Sequence, residues 1–126
     1  MKIRLRNGLP FISATLFHQG KRLVLKNVLL DTGSAGTIFS TDKVLGIGLT
    51  YEPEDIVYSI RGVGGSEFVF TKMVEKLKVD KLQINALEVE IGAMDYGFEI
   101  DGIIGMDFLT QVGAVVDLAK MEIRSV

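Results

Sequence analysis

The sequence predicts a mostly β fold with one or two short helices. Apolar and charged residues alternate with a period of two over residues 3–6, 22–26 and 87–91, a pattern typical of half-buried strands. Turn sequences that contain glycine separate the strand-like segments. Only Thr41 to about Leu45 and Ile103–Thr110 are compatible with helix, so we expect a low helix content.

The chain is predicted to form one domain over residues 1–126. A length of 126 residues is sufficient for one hydrophobic core without disulfides. The sequence has no Pro- or Ser-rich linker and no low-complexity segment that would divide it.

Two hairpins and two final strands can be placed along the chain. The first hairpin is predicted over Leu9–Leu30, with its turn at Gln19-Gly20-Lys21. The second is predicted from the strands Ile56–Ile60 and Phe68–Leu77, and the three glycines among residues 62–65 predict a mobile tip between them. Two further strands are expected at 114–118 and 121–125.

Ser40 is the predicted N-cap of the first short helix, which Gly46 and Gly48 would end. The terminal segments Ile3–Arg6 and Met121–Ser125 alternate in the same way as strands. We therefore expect them to be edge strands with which a partner could pair.

Composition excludes several classes of function. The absence of Cys excludes thiolate catalysis and Cys-based zinc sites, and His18 as the only His excludes sites that need two or three imidazoles, so no metal site is expected. The net charge of -2 and the scattered basic residues argue against nucleic acid. No apolar run approaches the ~20 residues of a membrane span, and no signal peptide is recognisable, so we expect a cytoplasmic protein without a membrane partner.

One acidic residue directly follows an aliphatic strand. Val28, Leu29 and Leu30 precede Asp31, where burial makes ionisation costly unless hydrogen bonds or a proton-sharing partner compensate. Asp31 is therefore either a structural acid that caps the following turn or a side chain that takes part in a chemical reaction. Residues 29–33 are weakly similar to residues 99–103, because each segment combines aliphatic residues with Asp and Gly.

Three features follow one another in a fixed order. They are Asp31-Thr32-Gly33-Ser34 after an aliphatic segment, a Gly-rich hairpin tip, and Ile103-Ile104-Gly105 before a short helical segment. Together they resemble the retropepsin-like aspartic peptidases over nearly the whole chain. The resemblance implies a single-lobe, closed acid-protease β-barrel with an internal pseudo-repeat. Such a repeat would explain the similarity between residues 29–33 and 99–103.

The resemblance also implies roles for individual residues. Asp31 would be the catalytic carboxylate, Thr32 would brace the paired active-site loops through its hydroxyl, and Gly33 would let the loop backbone approach the substrate. A flap over the cleft would comprise Arg61, Gly62, Val63, Gly64 and Gly65. Ile103, Ile104 and Gly105 would pack beneath the active-site loop.

Ser34 departs from the viral members of this family, which usually carry Ala at that position. We expect its hydroxyl to donate a hydrogen bond to the Asp31 carboxylate and to favour the charged form. Activity would then extend to more acidic pH than in an Ala variant.

Peptide hydrolysis by this chemistry needs two carboxylates that share a proton. Asp101 is a poor second acid, because it lacks the Thr-Gly or Ser-Gly sequence that should follow. The expected solution is a C2 homodimer with an Asp31 from each chain at the axis, a peptide or protein substrate and no cofactor. The alternative is a non-catalytic peptide-binding or dimerisation module with the same fold.

Three other polar residues receive structural interpretations. Asp107 is expected to be a solvated or ion-paired acid on the surface of the second helix. Asp101 is expected to shape an Asp-Gly turn. His18 is expected to be exposed near the first turn, with no catalytic role.

Overall fold

The protein is described here from a computed structural model. The structure describes the backbone of residues 1–62 and 65–126, and the side chains of residues 1–60 and 66–126. Twelve regular elements occur in these ranges, together with a 3₁₀ turn at Leu45–Ile47. They are β1 (Arg4–Arg6), β2 (Leu9–His18), β3 (Lys21–Leu30), β4 (Ile38–Ser40), α1 (Thr41–Val44), β5 (Val57–Gly62), β6 (Gly65–Val79), β7 (Leu82–Gly92), β8 (Gly102–Ile104), α2 (Met106–Gln111), β9 (Val115–Asp117) and β10 (Glu122–Arg124).

Six strands form a closed ring. Eight strands hydrogen-bond in the order β1-β2-β3-β8-β4-β7-β6-β5, and an additional pairing between β2 and β6 closes the ring. The closing contacts run from Thr15–Phe17 to Lys76–Lys78. Strands β1 and β5 add to the outside of this ring. The prediction of a mostly β fold with two short helices is confirmed.

The first hairpin has the predicted turn. Strands β2 and β3 pair from His18↔Lys21 onwards, and Gln19 and Gly20 form the turn with φ of 51° and 73°. Two consecutive positive φ values match the right-handed twist of the flanking strands. Glycine at position 20 adopts this backbone conformation without steric cost.

The second hairpin is longer than predicted. Strands β5 and β6 stay in register as far as the pairs Arg61↔Ser66 and Gly62↔Gly65. The strands therefore include four residues that were expected in the tip. The remaining tip residues, Val63 and Gly64, lie outside the described residues, and so does the expected mobility of the tip.

The first helix agrees with its prediction and the second does not. Helix α1 begins after Ser40, although the Ser40 side chain makes no capping bond, and the following 3₁₀ turn ends at Gly48 with φ of 86°. The predicted Ile103–Thr110 helix begins only at Met106, because residues 102–104 form strand β8 between β3 and β4. Neither helix in the described ranges has the length and apolar character needed to cross a membrane.

The two chain ends pair with each other. Strands β9 and β10 lie within the two predicted strand segments and pair antiparallel with each other. Strand β10 also contacts the N-terminal segment through a Lys2↔Glu122 bridge. Strand β10 is therefore flanked on both sides, which contradicts its expected role as a free edge. Strand β1 pairs with β2 on one side and ends the order of the large sheet.

Among the described side chains, two hydrophobic clusters fill the fold. The larger one lies inside the ring and includes the fully buried Phe39 and Phe108. The smaller one contains Phe11, Ile38, Val69, Met94 and Ile100. Three half-buried aliphatic side chains pack on it, namely Leu29, Ile60 and Ile103. The smaller cluster thus joins the β5–β6 hairpin to the strands that hold Asp31.

Candidate active site

Asp31 lies directly after β3, at the point where the chain leaves the sheet. Strand β3 pairs in parallel with β8 up to Leu30↔Ile104, and the Asp31 amide then donates a hydrogen bond of 3.0 Å to the Ile104 carbonyl. The Asp31 side chain is half-buried. The neighbouring strand therefore fixes the position of this carboxylate while leaving part of it accessible.

The following residues wrap the loop around the Asp31 carboxylate. The Gly33 amide donates to Asp31 Oδ1 at 2.8 Å, and the Ser34 amide donates to the Asp31 carbonyl at 3.2 Å. A Cβ at position 33 would lie 3.1 Å from Asp31 Oδ1. Glycine at position 33 therefore lets the loop close tightly on the carboxylate. Thr32 is exposed beside it.

Ser34 does not make the predicted hydrogen bond. Its hydroxyl donates to the Gly36 carbonyl at 2.8 Å, within the same loop. The expectation of donation to Asp31 is therefore wrong for this structure. A carbonyl two residues along the chain is the acceptor that the hydroxyl reaches locally, as in other Ser/Thr turns.

Thr37 and Asp107 form a buried link between the loop and α2. Thr37 is 1% exposed, and its hydroxyl donates to Asp107 Oδ1 at 2.7 Å and accepts from the Gly105 amide at 3.1 Å. The Thr37 amide donates to Asp107 Oδ2 at 3.2 Å. Asp107 was expected to be a surface acid, and this prediction is wrong. Its position in the first turn of a helix was visible in the sequence, but the partner is 70 residues away.

Helix α2 also contacts the Asp31 loop through backbone groups. The Met106 amide donates to the Ser34 carbonyl at 2.8 Å, and the Asp107 amide donates to the Ala35 carbonyl at 3.1 Å. A Cβ at Gly105 would overlap the carbonyl group of Gly36. The close approach of the two backbones therefore requires glycine at position 105.

The Ile-Ile-Gly segment lies against the loop. Ile104 is fully buried in the larger cluster, and its carbonyl holds the Asp31 amide. Ile103 is half-buried and packs on the smaller cluster. Of the expected flap residues, Arg61, Gly62 and Gly65 belong to the β5–β6 ladder, whereas Val63 and Gly64 lie outside the described residues.

Asp101 is a buried structural acid. It is 5% exposed, its Oδ2 accepts from the Asn27 amide at 3.0 Å, and its Oδ1 lies 3.5 Å from Lys43 Nζ. A hydrogen bond to Glu99 and the nearby charge of Asp101 raise the pKa of Lys43. Asp101 thus links β3, α1 and the start of β8. It was expected only to shape an Asp-Gly turn, and its contacts reach beyond that turn.

A groove opens between the β5–β6 hairpin and the end of the Asp31 loop. Its volume is about 390 Å³. Its polar lining includes Thr37 and three carboxylates, Glu88, Glu90 and Asp107. Burial raises the pKa of Glu90, and the charges of Asp107, Glu67 and Glu88 raise it further. In the part of the chain that the structure describes, no cluster of three or more His, Cys, Asp or Glu residues is arranged to hold a metal ion.

Comparison with known proteins gives the family. Residues 14–108 match the sequence model of a family described as Aspartyl protease. The match covers most of the chain, so the chain belongs to the aspartyl protease family.

The fold agrees with this assignment. The chain is similar to the crystal structure of a retropepsin-like aspartic protease from Rickettsia conorii, with a TM-score of 0.69 and 16% sequence identity. The similarity covers 98% of this chain and 95% of that chain. At this identity the likeness establishes a retropepsin-like fold. A comparison with curated protein sequences gives no significant match.

Proposed function

We propose that the protein is an aspartic endopeptidase that acts as a C2 homodimer, with the Asp31 carboxylates of the two chains facing each other across the axis. The observation that carries the proposal is the setting of Asp31. Backbone hydrogen bonds hold this accessible carboxylate in a fixed position. The Asp31 amide donates to the Ile104 carbonyl of β8, and the Gly33 amide donates to the Asp31 carboxylate. Amides at the start of α2 hold the loop that follows. The family match supports the same chemistry.

The reaction needs a second carboxylate close to the first. Asp101 does not supply it, because its side chain is buried and lies beside Lys43 and the Asn27 amide. Two carboxylates about 3 Å apart share one proton, since both do not readily ionise together. A second copy of Asp31 provides this arrangement by symmetry.

Each Asp31 would have a different role in one catalytic cycle. The ionised carboxylate takes a proton from water, and the water oxygen attacks the scissile carbonyl carbon. The protonated carboxyl group donates its proton to the carbonyl oxygen as the tetrahedral intermediate forms. The C–N bond then breaks as the carboxyl group that took the proton from water passes it to the leaving amine. A hydroxyl group of the tetrahedral intermediate returns a proton to the other carboxylate, and a carboxylic acid and an amine are released.

The cleft suits an extended peptide with apolar side chains near the cut. Leu29, Ile60 and Ile103 are half-buried aliphatic residues on the strands beside Asp31 and on the β5–β6 hairpin. A peptide between this hairpin and the Asp31 loop would bind as an added strand, with main-chain hydrogen bonds along its length. Thr32 is exposed next to Asp31, where its hydroxyl can contact the partner's loop.

The test compares cleavage of a mixed peptide library by the wild type and by Asp31→Asn. We expect the wild type to cut peptides between acidic and neutral pH, with inhibition by pepstatin-type compounds. We expect Asp31→Asn to lose activity by about 10³-fold or more while keeping its dimer content, which sedimentation measures. Asp42→Asn removes a carboxylate from an exposed position on α1 and is the matched control.

The same experiment examines the non-catalytic alternative. Peptide binding without turnover at any pH would favour a peptide-binding module. Full activity of Asp31→Asn would overturn the catalytic role of this residue.

A further inference from the structure

The groove beside the Asp31 loop has a lining suited to a cationic side chain. Five parts of the fold meet there: strand β5 with Tyr58, strand β6 with Thr71, strand β7 with Glu88 and Glu90, helix α2 with Asp107, and Thr37 at the end of the loop. Glu88 is exposed and Glu90 is half-buried, so both carboxylates remain accessible.

The negative charge of this lining has no partner among the described side chains. Each salt bridge between described side chains involves other acidic residues, and no Lys or Arg among residues 1–60 and 66–126 lines the groove. Asp107 accepts hydrogen bonds from Thr37 and the Phe108 amide, whereas Glu88 and Glu90 carry no comparable bonds in these ranges. Partly buried charges that are not neutralised favour a ligand of opposite sign.

Shape and position connect the groove with substrate binding. Its volume of about 390 Å³ lies in the range of pockets that hold small ligands. Strand β5 forms one wall, and the other wall includes Thr37, the residue that ends the Asp31 loop. A peptide that lies between the hairpin and the loop would therefore pass the mouth of the groove. Tyr58 also lines the groove, and an aromatic ring of this kind can pack against a cation.

We propose that this groove is a substrate subsite that accepts a lysine or arginine side chain, with Glu88 and Glu90 as its specificity-determining residues. The inference rests on the proposed peptidase function and adds a substrate class to it. In a C2 dimer the groove occurs twice, once on each side of the axis. We therefore expect a preference for a basic residue on both sides of the cut bond.

The first test is cleavage of a peptide library randomised on both sides of the cut. Lys and Arg should be enriched at one position on each side. For the best peptide, Lys at that position is compared with norleucine, which has similar length and no charge. Glu88→Gln combined with Glu90→Gln should lower the ratio of kcat/KM for the Lys peptide to that for the norleucine peptide by about tenfold. Asp42→Asn should leave this ratio unchanged.

The second test measures binding and does not depend on turnover. The Asp31→Asn protein is incubated with the same library, and the retained peptides are sequenced. We expect enrichment of Lys and Arg, and loss of this enrichment when Glu88→Gln and Glu90→Gln are added. If the double variant does not give the circular dichroism spectrum of the folded protein, Glu88→Gln alone is used, because this side chain is exposed.

The two tests separate the inference from the proposed function. Cleavage without any preference for basic residues would overturn the subsite and leave the peptidase intact. Absence of all cleavage together with Glu-dependent retention of basic peptides would overturn the peptidase and leave the groove as a cation site. Equal retention of Lys and norleucine peptides would overturn the subsite in either case.

Discussion

Single residues at the Asp31 loop depend on contacts with chain segments far away in sequence. Gly105 shows this most clearly, because the Gly36 carbonyl occupies the space of its missing side chain. Asp31, Gly33 and Gly105 were identified from the sequence because they belong to short motifs. The role of Asp107 was not, because the sequence does not show which side chain lies opposite a residue 70 positions away.

Gly105→Ala is expected to lower the free energy of unfolding by about 3 kcal/mol, because the new methyl group forces two backbones apart. Urea denaturation measures the loss. Gly46→Ala is the control, since a Cβ at position 46 meets nothing within 4 Å. Equal stability of the two variants would contradict the close packing of α2 on the loop.

Thr37→Val is expected to cost about 2 kcal/mol, because it leaves the buried Gly105 amide and Asp107 Oδ1 without their hydroxyl partner. The matched control is Thr110→Val. The Thr110 hydroxyl donates to the Met106 carbonyl at an exposed site, so its loss should cost only a few tenths of a kcal/mol. A loss of equal size in the two variants, measured by urea denaturation, would be inconsistent with the buried link.

The raised pKa of Glu90 predicts that the stability of the fold depends on pH. Burial and the charges of Asp107, Glu67 and Glu88 raise the pKa of Glu90 above 4.5. Its ionisation in the folded state is therefore unfavourable, and the cost appears as the pH rises through the raised pKa. Glu90→Gln should raise Tm at pH 7, and the gain should disappear below pH 4.5. A gain of constant size from pH 4 to 8 would contradict this explanation.

At the scale of elements, turns between neighbouring strands could be predicted from the local sequence, whereas pairings between distant strands could not. The β2–β3 hairpin was placed correctly because Gln19 and Gly20 determine the turn between neighbouring strands. The start of α2 was misplaced, because residues 102–104 form a strand through pairing with both β3 and β4. Their apolar pattern alone is equally compatible with a helix or a buried strand.

An ion-pair network holds the segment before β5. Lys72 Nζ lies 2.6 Å from Glu52 Oε1 and 2.8 Å from Asp55 Oδ2. Burial lowers the pKa of Lys72, but the hydrogen bonds to Asp55 and Glu52 outweigh this effect and the net shift is upward. The hydrogen bond from Lys72 lowers the pKa of Asp55 below 3.8. The network therefore anchors the base of the β5–β6 hairpin.

Asp55→Asn should reduce stability at neutral pH. A carboxyl group whose pKa is lowered by folding stabilises the fold at pH values above its unfolded-state pKa. This contribution is lost as the pH falls through the folded-state pKa. The difference in Tm between wild type and Asp55→Asn should therefore narrow below pH 3.8. Asp95→Asn, at an exposed position, is the control. Persistence of the full difference under strongly acidic conditions would contradict the ionic origin.

At the scale of the whole molecule, the proposed active site requires two chains. The rate of peptide cleavage per chain should fall when the protein is diluted below the dimer dissociation constant. The measurement combines kinetic assays with sedimentation over the same concentration range. A rate per chain that stays constant in fully monomeric solutions would contradict the shared active site.

The ring of strands was beyond what residue patterns predict. Alternation identified most of the strands, but the closure between β2 and β6 joins positions about sixty residues apart. Alternation specifies which face of a strand is buried and leaves its partner open. The closed architecture was therefore expected only from the resemblance to retropepsin-like peptidases.

The pairing of β3 with β8 has a consequence for biosynthesis. The support for Asp31 comes from Ile104, and the chain reaches that residue late in translation. Folds that depend on such distant partners form slowly compared with those built from local contacts. A ribosome-bound chain that ends before β8 therefore lacks the acceptor for the Asp31 amide, and we expect the Asp31 loop to become ordered only after β8 has been synthesised.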